Sequence, residues 1–152
     1  MAWVFAYGSL MGDAVLRQYR ARPARLPEYR RAFLHESRRR WGTPESPCPI
    51  LGLVPATGGE CWGLVFEVPD AEGRLVRSKL EKREAAAERR RETRTTETPE
   101  GAVDAWVWVS RTSNGSSGTD LVAVEARLRA AHGVVGTGPE YVRTLVHAMG
   151  PH

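Results

Sequence analysis

The period of the apolar positions changes several times along the chain. Residues 2–6, AWVFA, form an unbroken apolar, β-prone run that Tyr7-Gly8-Ser9 ends. This predicts a buried strand running into a tight loop. Asp13, a good N-cap, predicts a short helix over 13–20. Residues 28–36 and 50–55 read as strands separated by the Gly/Pro-rich stretch 42–49. In 61–68, CWGLVFEV, strict alternation puts Trp62, Leu64, Phe66 and Val68 on one face. Gly58-Gly59 is a turn signal, so 50–55 and 61–68 are expected to pair as a hairpin. Pro69-Asp70 opens a helix lasting to about residue 87, with a thin stripe of Leu75, Val76, Leu80 and Ala87. The threonine-rich 92–98 and the apolar 102–109, AVDAWVWV, read as strands joined by a turn at 99–101. Residues 112–118, TSNGSSG, are a loop by composition. A helix over 120–131 carries Leu121, Val124, Leu128 and Ala131 at helical spacing and stops at Gly133. A last helix covers 139–148, with Pro139 in its first turn. Five or six strands, mostly paired as hairpins, with helices inserted late, predict an α+β chain. The expected architecture is one domain over residues 1–152, a small, mostly antiparallel β-barrel with peripheral helices.

Composition changes this picture little. At 152 residues the chain is long enough to bury a core without staples. Its apolar runs are far shorter than the roughly 20 residues of a membrane span, so no membrane role is expected. Residues 1–10 lack a basic leader and a cleavage site, so no signal peptide is expected. A reducing cytoplasm is the default compartment, where Cys48 and Cys61 stay as free thiols. The two cysteines lack paired metal-site spacing, and His35, His132, His147 and His152 are scattered. No metal site is expected.

Charge is more informative in its distribution than in its total of +4. Arginine accounts for 20 of the 22 basic residues. Residues 17–40 carry a net +7 and residues 82–94 a net +3, which leaves the rest of the chain acidic. Such clusters fit three things: a solvated face, a pocket for acidic small molecules, or a nucleic-acid footprint.

The motifs narrow the choice. The stretch V-F-A-Y-G-S-L-M at 4–11 resembles the opening of the γ-glutamylcyclotransferases, specifically the ChaC-like branch. Further blocks follow in that family's order. Tyr29-Arg30-Arg31-Ala32-Phe33 resembles its tyrosine-arginine-phenylalanine strand. Ser37 to Glu45, SRRRWGTPE, resembles its S-R-x-x-x-G-T-P-E segment. Cys61–Phe66, CWGLVF, resembles C-W-G-V-A-F, and Leu80–Glu84, LEKRE, resembles L-x-x-R-E. His132-Gly133, Gly136 and Glu140-Tyr141 resemble the closing H-G-P-S-G-x-x-x-E-Y. These blocks span nearly the whole chain. The resemblance implies the family's barrel fold and its reaction. The α-amino nitrogen of a γ-glutamyl group attacks the group's own γ-carbonyl, releasing 5-oxoproline and a free amine. Glutathione is the implied small-molecule substrate and cysteinyl-glycine the other product. No metal or cofactor and no nucleic-acid partner is implied, and the protein is expected to be a monomer or weak dimer.

That reaction needs one group to take a proton from the α-ammonium and return one to the leaving nitrogen. Glu84 is the expected catalytic residue. Val76, Leu80 and Glu84 fall at i, i+4 and i+8, so the carboxylate is expected on the inward side of its helix. Spacing alone leaves open that it is an exposed acid paired with a neighbouring Arg; the match to L-x-x-R-E favours catalysis. The Tyr7-Gly8-Ser9-Leu10 loop can bind a carboxylate or an oxyanion through backbone N–H groups and the Ser9 hydroxyl. A plain strand-end turn is its other reading, with Tyr7 then a core aromatic. Tyr141 is expected either to hydrogen-bond substrate or to pack half-buried. Among Arg38, Arg39 and Arg40, Arg39 is taken as the carboxylate clamp, with at most two of the three facing inward. Cys61 is read as a buried strand residue.

Three positions depart from the family's pattern. Ala6 replaces a glycine before Tyr7, and strain is expected if that position needs positive φ. Gly12 stands where an aromatic wall is usual, and Glu88 where a pocket tyrosine is usual. They motivate two other outcomes, a family-shaped protein that binds a ligand or partner without turnover, or a cyclotransferase for a different γ-glutamyl amine.

Overall fold

The computed structural model describes residues 1–85, 89–111 and 120–150. Five strands close a barrel: β1 (Ala2–Ala6), β2 (Ala21–Ser37), β3 (Cys48–Val68), β4 (Arg89–Thr98) and β5 (Gly101–Ser110). Their order around it is β1-β3-β2-β4-β5. All pairings are antiparallel except β1 with β5, which close the barrel in parallel at Val4 and Trp106. Three helices decorate it: α1 (Asp70–Ala85), α2 (Leu121–Ala130) and α3 (Gly138–Met149). The α+β barrel expected from the pattern is the observed fold.

β1 has no alternation because both its faces are buried. Phe5 points into the barrel with Leu26, Leu53, Val65 and Val107. Val4 and Ala6 point outward, under α1 and α3, with Leu64, Phe66, Leu80 and Leu145. The alternation of 61–68 is borne out for Leu64, Phe66 and Val68, whereas Trp62 is half exposed. Ala6 lies in regular strand, and Glu28 is the one non-glycine described residue with positive φ. The strain expected at Ala6 is therefore absent.

Two expectations are corrected. Residues 50–55 and 61–68 are not two arms of a hairpin. They belong to one 21-residue strand, β3, which pairs along its length with the 17-residue β2. Gly58 (φ 74°) and Glu28 (φ 67°) sit at the place where the register shifts between Pro27 and Tyr29. The glycines thus mark a bulge that bends a long ribbon, not a reversal of the chain. The helix expected over 13–20 is also absent. A 3₁₀ turn at Ser9–Gly12 is followed by further turns, and Asp13 caps Val15 N at 2.8 Å without a helix behind it. The helices near 120–131 and 139–148 form as expected. α3 starts with a full capping box, Thr137 and Glu140 each accepting the other's backbone N–H at 3.2 Å. The 112–118 loop, Glu88 and the last residues of the predicted α1 lie outside the described residues.

Candidate active site

Several chain segments meet at one end of the barrel. The loop after β1 brings Tyr7 to Leu10, the last turn of α1 brings Arg83 and Glu84, and the start of β4 brings Arg89. The end of β2 adds His35, β3 adds Ile50 and Leu51, and α3 adds Tyr141. Ser9, His35, Ile50, Arg83, Glu84, Arg89 and Tyr141 among them line a cleft of about 570 Å³, together with Glu36, Arg38, Arg40 and Trp41. A narrow recess of about 10 Å³ continues from it between the Tyr7–Leu10 loop, Glu84, Arg89 and Tyr141.

Glu84 is 1% exposed, beside Val76 and Leu80 on the buried stripe of α1, as the i, i+4, i+8 spacing requires. A buried carboxylate needs a partner, and Arg89 supplies it: Nη1 donates to Glu84 Oε2 at 2.6 Å. Among the described residues the other oxygen, Oε1, accepts no hydrogen bond. Glu84 is thus paired with an arginine, but buried in the cleft wall and not exposed.

Arg89 is itself nine-tenths buried. Its Nη2 donates to Leu51 O at 2.7 Å, its guanidinium carbon lies 6.0 Å from the centre of the Tyr7 ring, and its Nε is buried without a partner. Burial works against its charge, but Tyr7, Glu84 and Tyr141 outweigh this and raise its pKa, so it stays a cation. Sequence reasoning missed Arg89. The sequence places it in the basic 82–94 stretch and, with Arg90, directly after Glu88 where the resembling family also has arginine; its place five residues after Glu84 was the available signal.

In the loop, Tyr7 is buried and its hydroxyl donates to Trp108 O at 2.8 Å. Burial pushes its pKa well above the ordinary phenol value. Its ring therefore shapes the recess while its hydroxyl is spent on the barrel. Ser9 Oγ accepts from Arg83 Nη2 at 2.8 Å, which leaves the Ser9 hydroxyl proton free to donate. Arg83 also pairs with Asp13, so Asp13 anchors the loop where a helix cap was expected. Ser9 and Leu10 open the 3₁₀ turn, where the turn provides no acceptors for their N–H groups. A Cβ on Gly8 would meet nothing within 4 Å, so this stretch of backbone is open.

Tyr141 is 1% exposed and its ring packs 5.5 Å from that of Trp41. Its hydroxyl accepts from Leu51 N at 3.0 Å, and burial pushes its pKa up to about 12. The phenol keeps its proton and has it free for a ligand in the recess. The clamp expected at Arg39 is not brought to the cleft. The strand ends at Ser37 and the chain bends, so Arg38 and Arg40 line the cleft while Arg39 lines a separate groove with His132 and Gly133. Gly12 also lies away from the cleft, in a groove along α3.

Sequence reasoning also missed His35. Its Nε2 lies 2.7 Å from Ser110 Oγ, and that oxygen accepts from Leu53 N at 3.2 Å. Burial, then the charge of Arg89, lowers the His35 pKa to about 4, so the imidazole is neutral near pH 7. The thiols of Cys48 and Cys61 are buried and free, and burial pushes both up to about 11, which makes them poor nucleophiles. Among the described residues no group of three His, Cys, Asp or Glu side chains could hold a metal ion.

The closed five-stranded barrel with its helices is the fold of solved γ-glutamyl cyclotransferases. The structure is similar to the crystal structure of a γ-glutamyl cyclotransferase specific to glutathione from yeast, with a TM-score of 0.83 and 18% identity, covering 99% of this chain and 87% of that one. The family model for ChaC-like protein matches residues 2–151, and the chain belongs to that family. γ-Glutamylcyclotransferase 2-1 of Arabidopsis thaliana is 34% identical over 85 residues, 54% of this chain and 39% of that protein. A glutathione-specific γ-glutamylcyclotransferase of Schizosaccharomyces pombe is 30% identical over 95 residues, 54% of this chain and 47% of that protein. The chain thus spans less than half the length of these curated relatives.

Proposed function

We propose that this protein is a γ-glutamylcyclotransferase that converts glutathione, or a related γ-glutamyl peptide, to 5-oxoproline and cysteinyl-glycine. The observation that carries this reading is the buried Glu84 carboxylate, with one oxygen uncommitted among the described residues, sharing a recess with the Tyr7–Leu10 loop. In this reading the γ-glutamyl group lies in the cleft against the mouth of the recess and its α-ammonium meets Glu84 Oε1. Glu84 takes one proton, and the freed amine attacks the γ-carbonyl carbon within the same molecule. The ring closes because the site holds the substrate folded, which is an orientation task. The carbonyl oxygen gains negative charge, and the Ser9 and Leu10 N–H groups, the Ser9 hydroxyl and the Tyr141 hydroxyl are the donors within the recess that can meet it. Glu84 then returns the proton to the departing nitrogen as the C–N bond breaks, and the second proton that the ring nitrogen sheds on closure ends on the freed cysteinyl amine, which leaves as an ammonium. The wider cleft past His35 and Arg40 takes the departing peptide. The reaction so written needs no metal or cofactor. The supporting relatives are named for this activity and, in one case, for this substrate.

The test is mass spectrometry of 5-oxoproline after incubation with glutathione, γ-glutamyl dipeptides and γ-glutamyl amines. The expected result is release from glutathione or a γ-glutamyl dipeptide and loss of at least about a hundredfold in rate for Glu84→Gln, the usual scale for a general acid–base group. Full activity in Glu84→Gln would remove that residue from the mechanism. No release from the whole panel would remove the reaction.

A further inference from the structure

The Glu84–Arg89 pair presents a negative and a positive group side by side on the wall of the recess. The head of an α-amino acid carries the complementary arrangement, an ammonium and a carboxylate on one carbon. Two details give each partner a free position. Among the described residues Glu84 Oε1 accepts no hydrogen bond, and Arg89, whose Nη1 and Nη2 donate to Glu84 and Leu51, has a buried Nε with no acceptor. A buried guanidinium N–H left without an acceptor is costly unless something fills the role. Arg89 also lines the recess, which at about 10 Å³ has room for a single small group.

We propose that Arg89 is a specificity-determining residue that binds the α-carboxylate of the γ-glutamyl head group. This rests on the cyclotransferase reading and assigns a further residue to it. Glu84 holds the ammonium through Oε1 and Arg89 holds the carboxylate. The ion pair thereby recognises the zwitterion and aims the amine at the γ-carbonyl. The Tyr7–Leu10 loop is left free for the oxyanion.

The probe is glutathione against its decarboxylated analogue, 4-aminobutyryl-cysteinyl-glycine, which lacks only the α-carboxylate and would cyclise to 2-pyrrolidinone. The wild-type protein is expected to prefer glutathione in kcat/KM by about tenfold to a hundredfold, the range of a charge-assisted hydrogen bond. In Arg89→Met that preference is expected to collapse to within about threefold, through loss of the glutathione rate rather than gain of the other, and in Arg89→Lys it is expected to fall part of the way. A merely structural arginine would slow both substrates alike. An unchanged preference in Arg89→Met would overturn the proposal, as would a wild-type protein that does not discriminate. If Arg89→Met does not fold, Arg89→Lys decides, and an unchanged preference there overturns it. If the wild type turns over neither compound, glutathione as the substrate has failed on its own. Calorimetric binding of the two compounds to wild type and Arg89→Lys then reads the Arg89 assignment directly, with equal binding of both compounds counting against it.

Discussion

His35 shows how one residue is tuned by its surroundings. Its ring edge lies against Gly52, where a Cβ would come within 2.8 Å of Nε2 and 2.5 Å of Ser110 Oγ. The glycine is what lets the imidazole reach the serine. The folded protein holds the His35 pKa at about 4 against an ordinary value of 6.5. From pH 6.5 down to 4 the unfolded chain takes up a proton here that the folded protein refuses. Stability contributed by this site is therefore full above pH 6.5 and falls as pH falls, by up to about 1.4 kcal/mol per pH unit. Urea midpoints at pH 7, 5.5 and 4.5 should decline less steeply for His35→Gln than for wild type. Parallel declines would show that His35 is not the group responsible. His35 was not legible from local pattern, because a lone histidine in a strand gives no signal until the barrel brings β2, β4 and α1 to one end. Arg89 carried a signal only in its place after Glu84, and its pairing needs the same convergence. Glu84 was legible because helical spacing tied it to Val76 and Leu80. Arg39 was misassigned because strand alternation was carried past Ser37, where the chain had left the strand.

At the scale of elements, the long β2–β3 ribbon depends on its bulge. Gly58 donates its N–H to Glu28 Oε2 at 2.8 Å, and both residues sit at positive φ. A Cβ on Gly58 would meet nothing within 4 Å, so the cost of Gly58→Ala is one of backbone conformation alone. That cost is about 1–2 kcal/mol. Chemical denaturation should show this loss while 5-oxoproline release at 25 °C stays near wild type, since the bulge is outside the cleft lining. A loss below about 0.3 kcal/mol would mean that the bulge relaxes freely. The same feature explains why the ribbon was hard to read. Pro23 and Pro27 in β2 and Gly58-Gly59 in β3 carry the chemistry of strand ends and turns. Here they sit inside strands where the barrel bends, and tertiary pairing overrides the local signal. The strands β1 and β5, and the helices α1 to α3, contain no such conflict and were readable.

At the scale of the molecule, the question is where the positive charge goes. Part of the charge of the +7 stretch at 17–40 is met by carboxylates. Arg20 and Arg22 pair with Glu67 and Glu100, Arg25 with Glu60 and Glu97, and Arg38 with Glu36. Arg31 donates to the carbonyls of Tyr7 and Trp62. In the second stretch Arg83 pairs with Asp13, Arg89 with Glu84, Arg91 with Glu81, and Arg90 and Arg94 with Glu92. Strand pairing thus brings acids from elsewhere in the chain onto the arginines. A cation already paired with a carboxylate has little left to give a phosphate, and few counterions would be released on binding. Titration with duplex and single-stranded nucleic acid should therefore show, at low salt, nothing tighter than the nonspecific range of about 10⁻⁴–10⁻⁶ M, and no measurable binding near 0.2 M salt. Binding that survives at the higher salt and depends on sequence would show that these arginines leave their carboxylates for phosphates. The acidic-ligand reading of the charge would then have to share the protein with a second partner. Without it, the cations lining the cleft, Arg38, Arg40, Arg83 and Arg89, are the ones left to act on a ligand, and only Arg40 among them has no carboxylate partner among the described residues.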